Sequence, residues 1–315
     1  MNCLCCGKPL RTAGSDRWHK SCIKRFFGTS VIPEIIIDEK TLEMLAEEST
    51  NKGYTVPGVQ KKLSLHLDSR GGSPRLTLVN YPTGYILKPQ VLAFTALPEA
   101  EHLVMCMAEA VGIATVPHAL VGEKDRLAYI TKRVDRSFKQ DGVHMLAMED
   151  FCQLDLRLTQ DKYKGSYERC AKVIERYSSR KALDMTELYL RLVFSFLVGN
   201  SDMHLKNFSL IETEEGSGKY VLSPAYDLLP VNVIMPEDQE QFALAMNGKK
   251  TNLRKKDFFV FAESCGVSQK SAEKMNAKLL SMVPQLIKMC RESLLPAELQ
   301  DRFVALIEER ASTLQ

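Results

Sequence analysis

The sequence predicts an α+β fold with a β-rich amino-terminal lobe and a mainly helical carboxy-terminal lobe, preceded by a small cysteine-rich segment. At 315 residues the chain exceeds the usual size of one domain. Apolar and polar residues alternate before residue 90, whereas after residue 146 apolar residues recur every three or four positions. We therefore divide the chain into residues 1–26, 27–145 and 146–315.

The composition is that of a globular protein, with 45% hydrophobic and 26% charged residues and a formal net charge of +3. This small net charge does not by itself indicate nucleic acid or a membrane as partner. No apolar run approaches the roughly 20 residues that span a bilayer, and the start MNCLCCGKPL lacks a signal-peptide core. An odd number of cysteines, 9, favours reduced thiols. We expect a cytoplasmic protein with no membrane partner.

The cysteine-rich segment, residues 1–26, predicts a metal site. Cys3-x2-Cys6 and His19-x2-Cys22 form two ligand pairs at the spacing that lets neighbouring side chains share a tetrahedral zinc ion. Cys5 would be a spare thiol. Four protein ligands leave no open position, so the predicted Zn²⁺ is structural and not catalytic. Free thiols near the chain terminus are the alternative.

The second segment has the pattern of a kinase amino-terminal lobe. TVPGVQKKLSLHLD, RLTLVN and YILKP predict three short strands of an antiparallel meander. PEAEHLVMCMAEAVG predicts a helix that ends at Gly112, and HALVGEKDRLAYITKRVDRS predicts two more strands. In a kinase lobe with this layout a strand lysine, here Lys88, faces a helix glutamate. The candidates for that glutamate are Glu101 and Glu99.

The helical third segment contains the stretch NSDMHLKNFSL, residues 200–210, which carries the chemistry. Asp202-x4-Asn207 has the interval of the kinase catalytic loop, in which the aspartate receives the proton of the substrate hydroxyl and the asparagine holds magnesium. FSLIETEEGSGKYVLSPAYDLL then predicts a hairpin that delivers Asp227 as a second metal ligand. Alone, Asp202 would be a helix cap and His204 a buried histidine.

Together these groups predict phosphoryl transfer. The reaction needs an aligned acceptor, a metal that bridges the phosphates and positive charge on the leaving side. Asp202 supplies the first, Asn207 with Asp227 the second, and Lys88 with Lys206 the third.

The whole pattern resembles the HipA-like serine/threonine kinase toxins of bacterial toxin–antitoxin systems. The matching segments, all in family order, are GVQKKL, YILKP, EAEH, KRVDRS, MEDFCQ, GNSDMHLKNFSL and LSPAYDLL. The resemblance implies a two-lobed protein-kinase-like fold that binds ATP and Mg²⁺. It implies that Asp202 accepts the proton and that Asn207 and Asp227 bind Mg²⁺. It implies nucleotide contacts at Pro57, Gly58, Val59, Gln60, Lys61, Lys62, Lys88, Lys132, Arg133, Val134, His204, Lys206 and Tyr226.

Departures from the family pattern refine these expectations. Family members commonly have glutamate at the first hinge position, where this chain has Lys132, so only backbone contacts to adenine are expected there. The short region before the nucleotide loop resembles the HipT-type kinases. In these, a separate small HipS-like protein resembles the missing subdomain and acts with a helix-turn-helix, HipB-like antitoxin, so DNA is reached only through the antitoxin.

The resemblance also implies a target and a form of regulation. Family members modify aminoacyl-tRNA synthetases, which arrests growth, so a synthetase is the expected substrate. Autophosphorylation in the nucleotide loop switches such kinases off, and the equivalent hydroxyl here is that of Thr55, three residues before Gly58.

Two other functions stay open from the residues alone. The zinc-like segment with GKKTNLRKK would suit a nucleic-acid-binding regulator that keeps a kinase-like fold without activity. The intact set of Asp202, Asn207 and Asp227 argues against that alternative. A metal-dependent phosphatase using Asp202 and His204 would leave Lys88 and the predicted meander without a role.

Overall fold

The computed structural model describes residues 2–10, 17–36, 62–68, 73–77, 83–123, 126–139 and 142–315. The chain divides into two units, Met1–Cys106 with Val116–Val134, and Met107–Thr115 with Asp135–Gln315. No helix in the described part of the chain is long and apolar enough to cross a membrane. The segment boundaries given above, 26/27 and 145/146, stay predictions.

The first unit contains a six-stranded sheet in the order β1-β3-β2-β4-β6-β5. Its strands are β1 (Glu34–Ile36), β2 (Leu63–Asp68), β3 (Arg75–Thr77), β4 (Tyr85–Pro89), β5 (His118–Glu123) and β6 (Arg126–Lys132). β1 is parallel to β3, and the other neighbours are antiparallel. The predicted strands are present, but the meander order is wrong. β2 lies between β3 and β4. One edge of β4 pairs with β2 and its other edge pairs with β6, so β3 cannot lie next to β4.

Among the described residues of this unit, helices α1 (Lys20–Phe27) and α2 (Leu97–Val111) accompany the sheet. The predicted end of α2 is confirmed, since Gly112 follows it with φ of 93°, a left-handed conformation that glycine adopts without a steric cost. Buried residues on α2 include Ala100, Val104 and Ala108. Their spacing of four places them on one face of the helix, which explains why the apolar period predicted it.

The cysteine-rich segment is packed on the outer edge of the sheet. Leu120 of the edge strand β5 donates its backbone N–H to the carbonyl oxygen of Leu4 at 2.8 Å and accepts a bond from Trp18 Nε1 at 3.2 Å. Trp18, Phe26, Phe27 and Tyr85 form an aromatic cluster with ring centroids 4.8 to 5.9 Å apart. The segment therefore covers a strand edge that would otherwise expose unpaired backbone groups.

The second unit is mainly helical, as predicted, and contains the predicted hairpin. Its helices are α3 (Phe151–Leu154), α4 (Tyr167–Tyr177), α5 (Lys181–Leu197), α6 (Val231–Ile234), α7 (Lys255–Ser264), α8 (Gln269–Ser281), α9 (Val283–Arg291) and α10 (Ala297–Leu314). Its strands are β7 (Arg136–Lys139), β8 (Gly142–Met145), β9 (Met148–Asp150), β10 (Ser209–Glu212) and β11 (Tyr220–Leu222). β9, β10 and β11 form one antiparallel sheet with β10 in the centre. The sequence pattern had not predicted β7, β8 or β9.

Helix α5 leads directly into the motif at residues 200–210. Most of its length is buried, including Leu188, Leu192 and Phe196, so the helix forms part of the core of this unit. It ends before Gly199, where φ is 67°. A Cβ atom at Gly199 would lie 3.0 Å from the side chain of Leu306. Glycine is thus required by both the backbone turn and the close packing.

Candidate active site

The carboxyl group of Asp202 lies in the loop that follows α5. Tyr163 Oη donates to its Oδ1 at 2.8 Å, and His204 Nε2 lies 3.8 Å from Oδ2. The side chain is only 13% exposed. Burial raises the pKa of Asp202 to about 7; the charge of Asp227 acts in the same direction, and the Tyr163 hydroxyl acts against it. A carboxylate with a pKa near neutrality is suited to accept a proton.

Two hydrogen bonds hold the backbone immediately after Asp202. Tyr167, at the start of α4, donates its hydroxyl to the carbonyl oxygen of Met203 at 3.0 Å. The N–H of Leu205 donates to the carbonyl oxygen of Lys162 at 3.2 Å. Tyr167 is itself fully buried at the start of α4, so the loop needs little reorganisation to present Asp202.

Asn207 and Asp227 present oxygen atoms of the kind that magnesium prefers. Asn207 uses its amide nitrogen to donate to the backbone carbonyl of Asp202 at 3.1 Å, which directs the amide oxygen the opposite way. Asp227 has φ of 55°, a left-handed conformation that non-glycine residues adopt mainly where the surrounding structure imposes it. A carboxylate and an amide oxygen fit a hard cation such as Mg²⁺.

Lys206 is held by a carboxylate that the sequence reasoning had missed. Its Nζ donates to Asp150 Oδ2 at 2.6 Å. Asp150 also caps α3 through a reciprocal bond pair with Gln153. The D-x-x-Q spacing in MEDFCQ is a capping signature and could have revealed this helix start, but it carries no information about Lys206.

Tyr226, in the segment that follows β11, supports the loop that contains Asp202. Its hydroxyl donates to the carbonyl oxygen of Lys206 at 3.0 Å and lies 2.5 Å from Ser209 Oγ. Burial raises the pKa of Tyr226 above its ordinary value, so the phenol stays neutral. The hydroxyl is thus engaged in positioning, and the predicted nucleotide contact of this residue stays a prediction.

In the first unit, Lys88 on β4 pairs with Glu101 on α2. The Nζ and Oε1 atoms are 2.5 Å apart, and the side chains are 2% and 0% exposed. Of the two candidate glutamates, Glu101 is therefore the partner, while burial raises the pKa of Glu99. Nζ also lies 5.2 Å from the ring centroid of Tyr129. A charged pair this deeply buried is costly to desolvate, which points to a functional reason for its presence.

The other predicted nucleotide contacts fall in three places. Lys132 and Arg133 donate their backbone N–H groups within the first unit, to Pro117 and Gly84, so a nucleotide would not receive these two N–H bonds. Val134 ends that unit. Lys62 is exposed at the start of β2. Outside the described residues lie Thr55, Pro57, Gly58, Val59, Gln60 and Lys61.

The predicted zinc ligands lie together. Cys3, Cys6, His19 and Cys22 each offer a ligand atom within 4.8 Å of the others. His19 Nδ1 lies 3.5 Å from Cys6 Sγ and 3.9 Å from Cys22 Sγ, while its Nε2 contacts the carbonyl oxygen of Pro9 at 3.2 Å. In a metal-binding histidine the second ring nitrogen characteristically donates to such an oxygen. The donor set fits a structural Zn²⁺.

Cys5 lies beside this group as a neutral thiol. Its side chain is buried, and burial raises its pKa to about 11. The charges of Cys3 act in the same direction, whereas Arg25 acts against them. The group of ligand atoms formed by Cys3, Cys6, His19 and Cys22 does not include Cys5, so Cys5 stays the predicted spare thiol.

Comparison with known proteins identifies the family and the fold. Residues 54–287 match the family model for the HipA-like C-terminal domain. A Sinorhizobium fredii protein named "Putative kinase Y4mE" is 32% identical over 221 residues, which covers 68% of this chain and 51% of that protein. The chain thus spans about half the length of this relative.

Two solved structures share the fold. One is HipA of Shewanella oneidensis MR-1, in complex with HipB and its operator DNA, with a TM-score of 0.72 and 19% identity over 88% of this chain and 72% of that chain. The other is the Helicobacter pylori proinflammatory kinase CtkA, with a TM-score of 0.52 and 15% identity over 75% and 89% of the two chains. These matches confirm the predicted α+β, protein-kinase-like fold. Because the family model covers well over half of its residues, this chain belongs to the HipA-like C-terminal domain family.

Proposed function

We propose that this chain is an ATP- and Mg²⁺-dependent serine/threonine protein kinase. The observation that carries the proposal is the placement of Asp202, a largely buried carboxylate on a fixed loop, five residues before an asparagine whose amide oxygen is directed away from that loop. Asp227 lies in the segment that follows the β10–β11 hairpin of the same unit. Family and fold support the proposal. The Sinorhizobium fredii relative is named a putative kinase, and the structurally similar CtkA is described as a kinase.

Each group has a distinct role in this reaction. The substrate hydroxyl oxygen forms a bond to the terminal phosphorus of ATP, and the bond from that phosphorus to the bridging oxygen breaks to release ADP. Asp202 accepts the hydroxyl proton. Asn207 and Asp227 would hold Mg²⁺, which neutralises phosphate charge when bound. Lys88, oriented by Glu101, contacts the phosphates of the nucleotide.

The decisive test uses the purified chain with Mg²⁺ and ATP labelled on its terminal phosphate. Asp202→Asn should fold and reduce transfer by roughly 10²- to 10⁴-fold, the usual contribution of a positioned proton acceptor. Asp301→Asn is the matched control, because Asp301 on helix α10 is 69% exposed in an ion pair with Arg291, and it should retain transfer. Undiminished transfer by Asp202→Asn would reject the assignment.

We further propose that the kinase is the toxin of a HipA-like toxin–antitoxin system, with a HipB-like antitoxin and a HipS-like small protein as partners and an aminoacyl-tRNA synthetase as substrate. Support for the antitoxin comes from the structure of the Shewanella HipA, which includes HipB. Phosphoproteomics after induction of the wild-type chain and of Asp202→Ala should show a synthetase phosphopeptide in the first sample alone. Its absence from both samples would exclude this target class.

Regulation by autophosphorylation of Thr55 completes the proposal. A phosphate carries nearly two negative charges, and beside bound ATP these would be repelled unless the nucleotide loop left the site. Thr55→Ala should stay active, and Thr55→Asp should bind ATP poorly. Intact-mass measurement after incubation with Mg²⁺ and ATP, followed by peptide mapping, checks the position. Phosphate on another residue, or on none, would contradict this mechanism.

A further inference from the structure

A second group of metal-ligating side chains lies in the first unit, apart from the cysteine-rich segment. His102 and Cys106 are one helical turn apart on α2, and His118 is the first residue of β5. His102 Nδ1 lies 3.0 Å from His118 Nδ1, and Cys106 Sγ lies 3.6 Å from His102 Nε2. Both histidines are buried, and Cys106 is half-buried. None of the three has a role in the phosphoryl transfer proposed above.

The three side chains can each offer one ligand atom to the same place, although the two contacts above use different ring nitrogens of His102, of which a single ion would take one. A tetrahedral zinc with nitrogen at about 2.0 Å and sulfur at about 2.3 Å keeps neighbouring ligand atoms roughly 3.3 to 3.7 Å apart. Here one ligand atom from each of the three residues lies within 4.8 Å of the other two. The three ligand atoms are therefore near enough to one another to be drawn onto one ion.

The chemistry of the ligands restricts the kind of ion. Two imidazoles and one thiolate suit borderline transition metals such as Zn²⁺ and exclude Mg²⁺ or Ca²⁺, which require oxygen.

We propose that His102, Cys106 and His118 form a second transition-metal site, of the Zn²⁺ class, that joins helix α2 to strand β5. With three protein ligands the ion keeps a fourth position, which water can reach beside the half-buried Cys106. The competing explanation is a hydrogen bond between two neutral histidines with no metal, which needs neither the thiol nor an ion. The site does not depend on kinase activity, so its test is separate from that of the proposed function.

The test counts zinc ions bound to the full-length chain. Protein stripped with a chelator is titrated with Zn²⁺, and native mass spectrometry gives the number of ions per chain. Cys106→Ser should bind one ion fewer than the wild type, because loss of a direct ligand weakens a site more than loss of an outer-shell partner, which already costs about 10- to 100-fold. Cys265→Ser, a half-buried cysteine of α7's carboxy-terminal cap, is the matched control and should keep the wild-type count.

Two further variants separate the sites and guard against misfolding. Cys6→Ser removes a ligand of the cysteine-rich segment and should leave the ion at the His102 site in place. His118→Gln should lose the same zinc ion as Cys106→Ser. If His118→Gln fails to fold, the zinc count of Cys106→Ser still tests the proposal, because Cys106 is only half-buried. Equal zinc counts in folded wild type and Cys106→Ser would overturn the proposal and leave a hydrogen-bonded histidine pair.

Discussion

The buried pair of Lys88 and Glu101 gives the sharpest quantitative test of the first unit. The two charges are 2.5 Å apart at 2% and 0% exposure, so neither can be stabilised by water. Glu101→Gln keeps the length and shape of the side chain and removes its charge. The ammonium group of Lys88 is then buried without its counter-charge, although the amide oxygen can still accept a hydrogen bond.

The size of the effect follows from this geometry. Breaking a fully buried ion pair costs about 3–5 kcal/mol in the free energy of unfolding, and the remaining hydrogen bond favours the lower end, about 3 kcal/mol. That loss lowers Tm by roughly 6–12 °C for a unit of this size. The double variant Lys88→Met with Glu101→Leu replaces both charged side chains by apolar ones. Its free energy of unfolding should therefore lie within about 1 kcal/mol of the wild-type value.

Urea denaturation measures these differences, and calorimetric titration with Mg²⁺ and ATP measures the function. Glu101→Gln and the double variant should both lose at least about tenfold in nucleotide affinity, or about 1.4 kcal/mol. Glu99→Gln is the matched control on the same helix, because burial already raises the pKa of Glu99, and it should change little. The reasoning would be refuted by a double variant as unstable as Glu101→Gln, or by one that binds ATP normally.

Four further predictions concern the second unit and the metal segment. The pKa of Asp202 is raised from 3.8 to about 7, so the folded state binds this proton more tightly and the carboxylate lowers stability as pH rises from about 4 to about 7. In metal-free protein, thermal unfolding should therefore show Asp202→Asn gaining about 2–3 kcal/mol over the wild type on going from pH 5 to pH 8; a constant difference would contradict this. Tyr163→Phe removes the hydrogen bond that lowers the pKa of Asp202. The midpoint of the pH-dependent change in stability should therefore move to higher pH in the same measurement, and a shift to lower pH would contradict this role of the hydroxyl. Asp227→Asn should weaken magnesium-dependent ATP binding in calorimetry as well as turnover, since a metal ligand acts in the ground state too. Cys5→Ser should leave one zinc in the cysteine-rich segment by elemental analysis, and a lost ion would make Cys5 a ligand.

Local patterns in the sequence were sufficient for several features. The apolar period of three and four with a glycine predicted α2 and its end at Gly112, because helix length and stop signals depend on adjacent residues alone. The alternation around Gly-Ser-Gly predicted the hairpin of β10 and β11. Two motifs are likewise local in sequence, the interval from Asp202 to Asn207 and the spacing of Cys3, Cys6, His19 and Cys22. Residues so close along the chain can reach one site whatever the rest of the fold does.

Features that depend on distant contacts were decided by the tertiary structure alone. Strand order was one, since the alternation in β2, β3 and β4 is the same whichever edge is paired. The choice of Glu101 over Glu99 was another, because both lie on α2 and only its orientation toward β4 separates them. Tyr163 donates to Asp202 across 39 residues, and Lys206 meets Asp150 across 56. No local period encodes such pairs. The sequence by itself therefore determined which groups could do the chemistry, and the fold determined which partners set their charge and position.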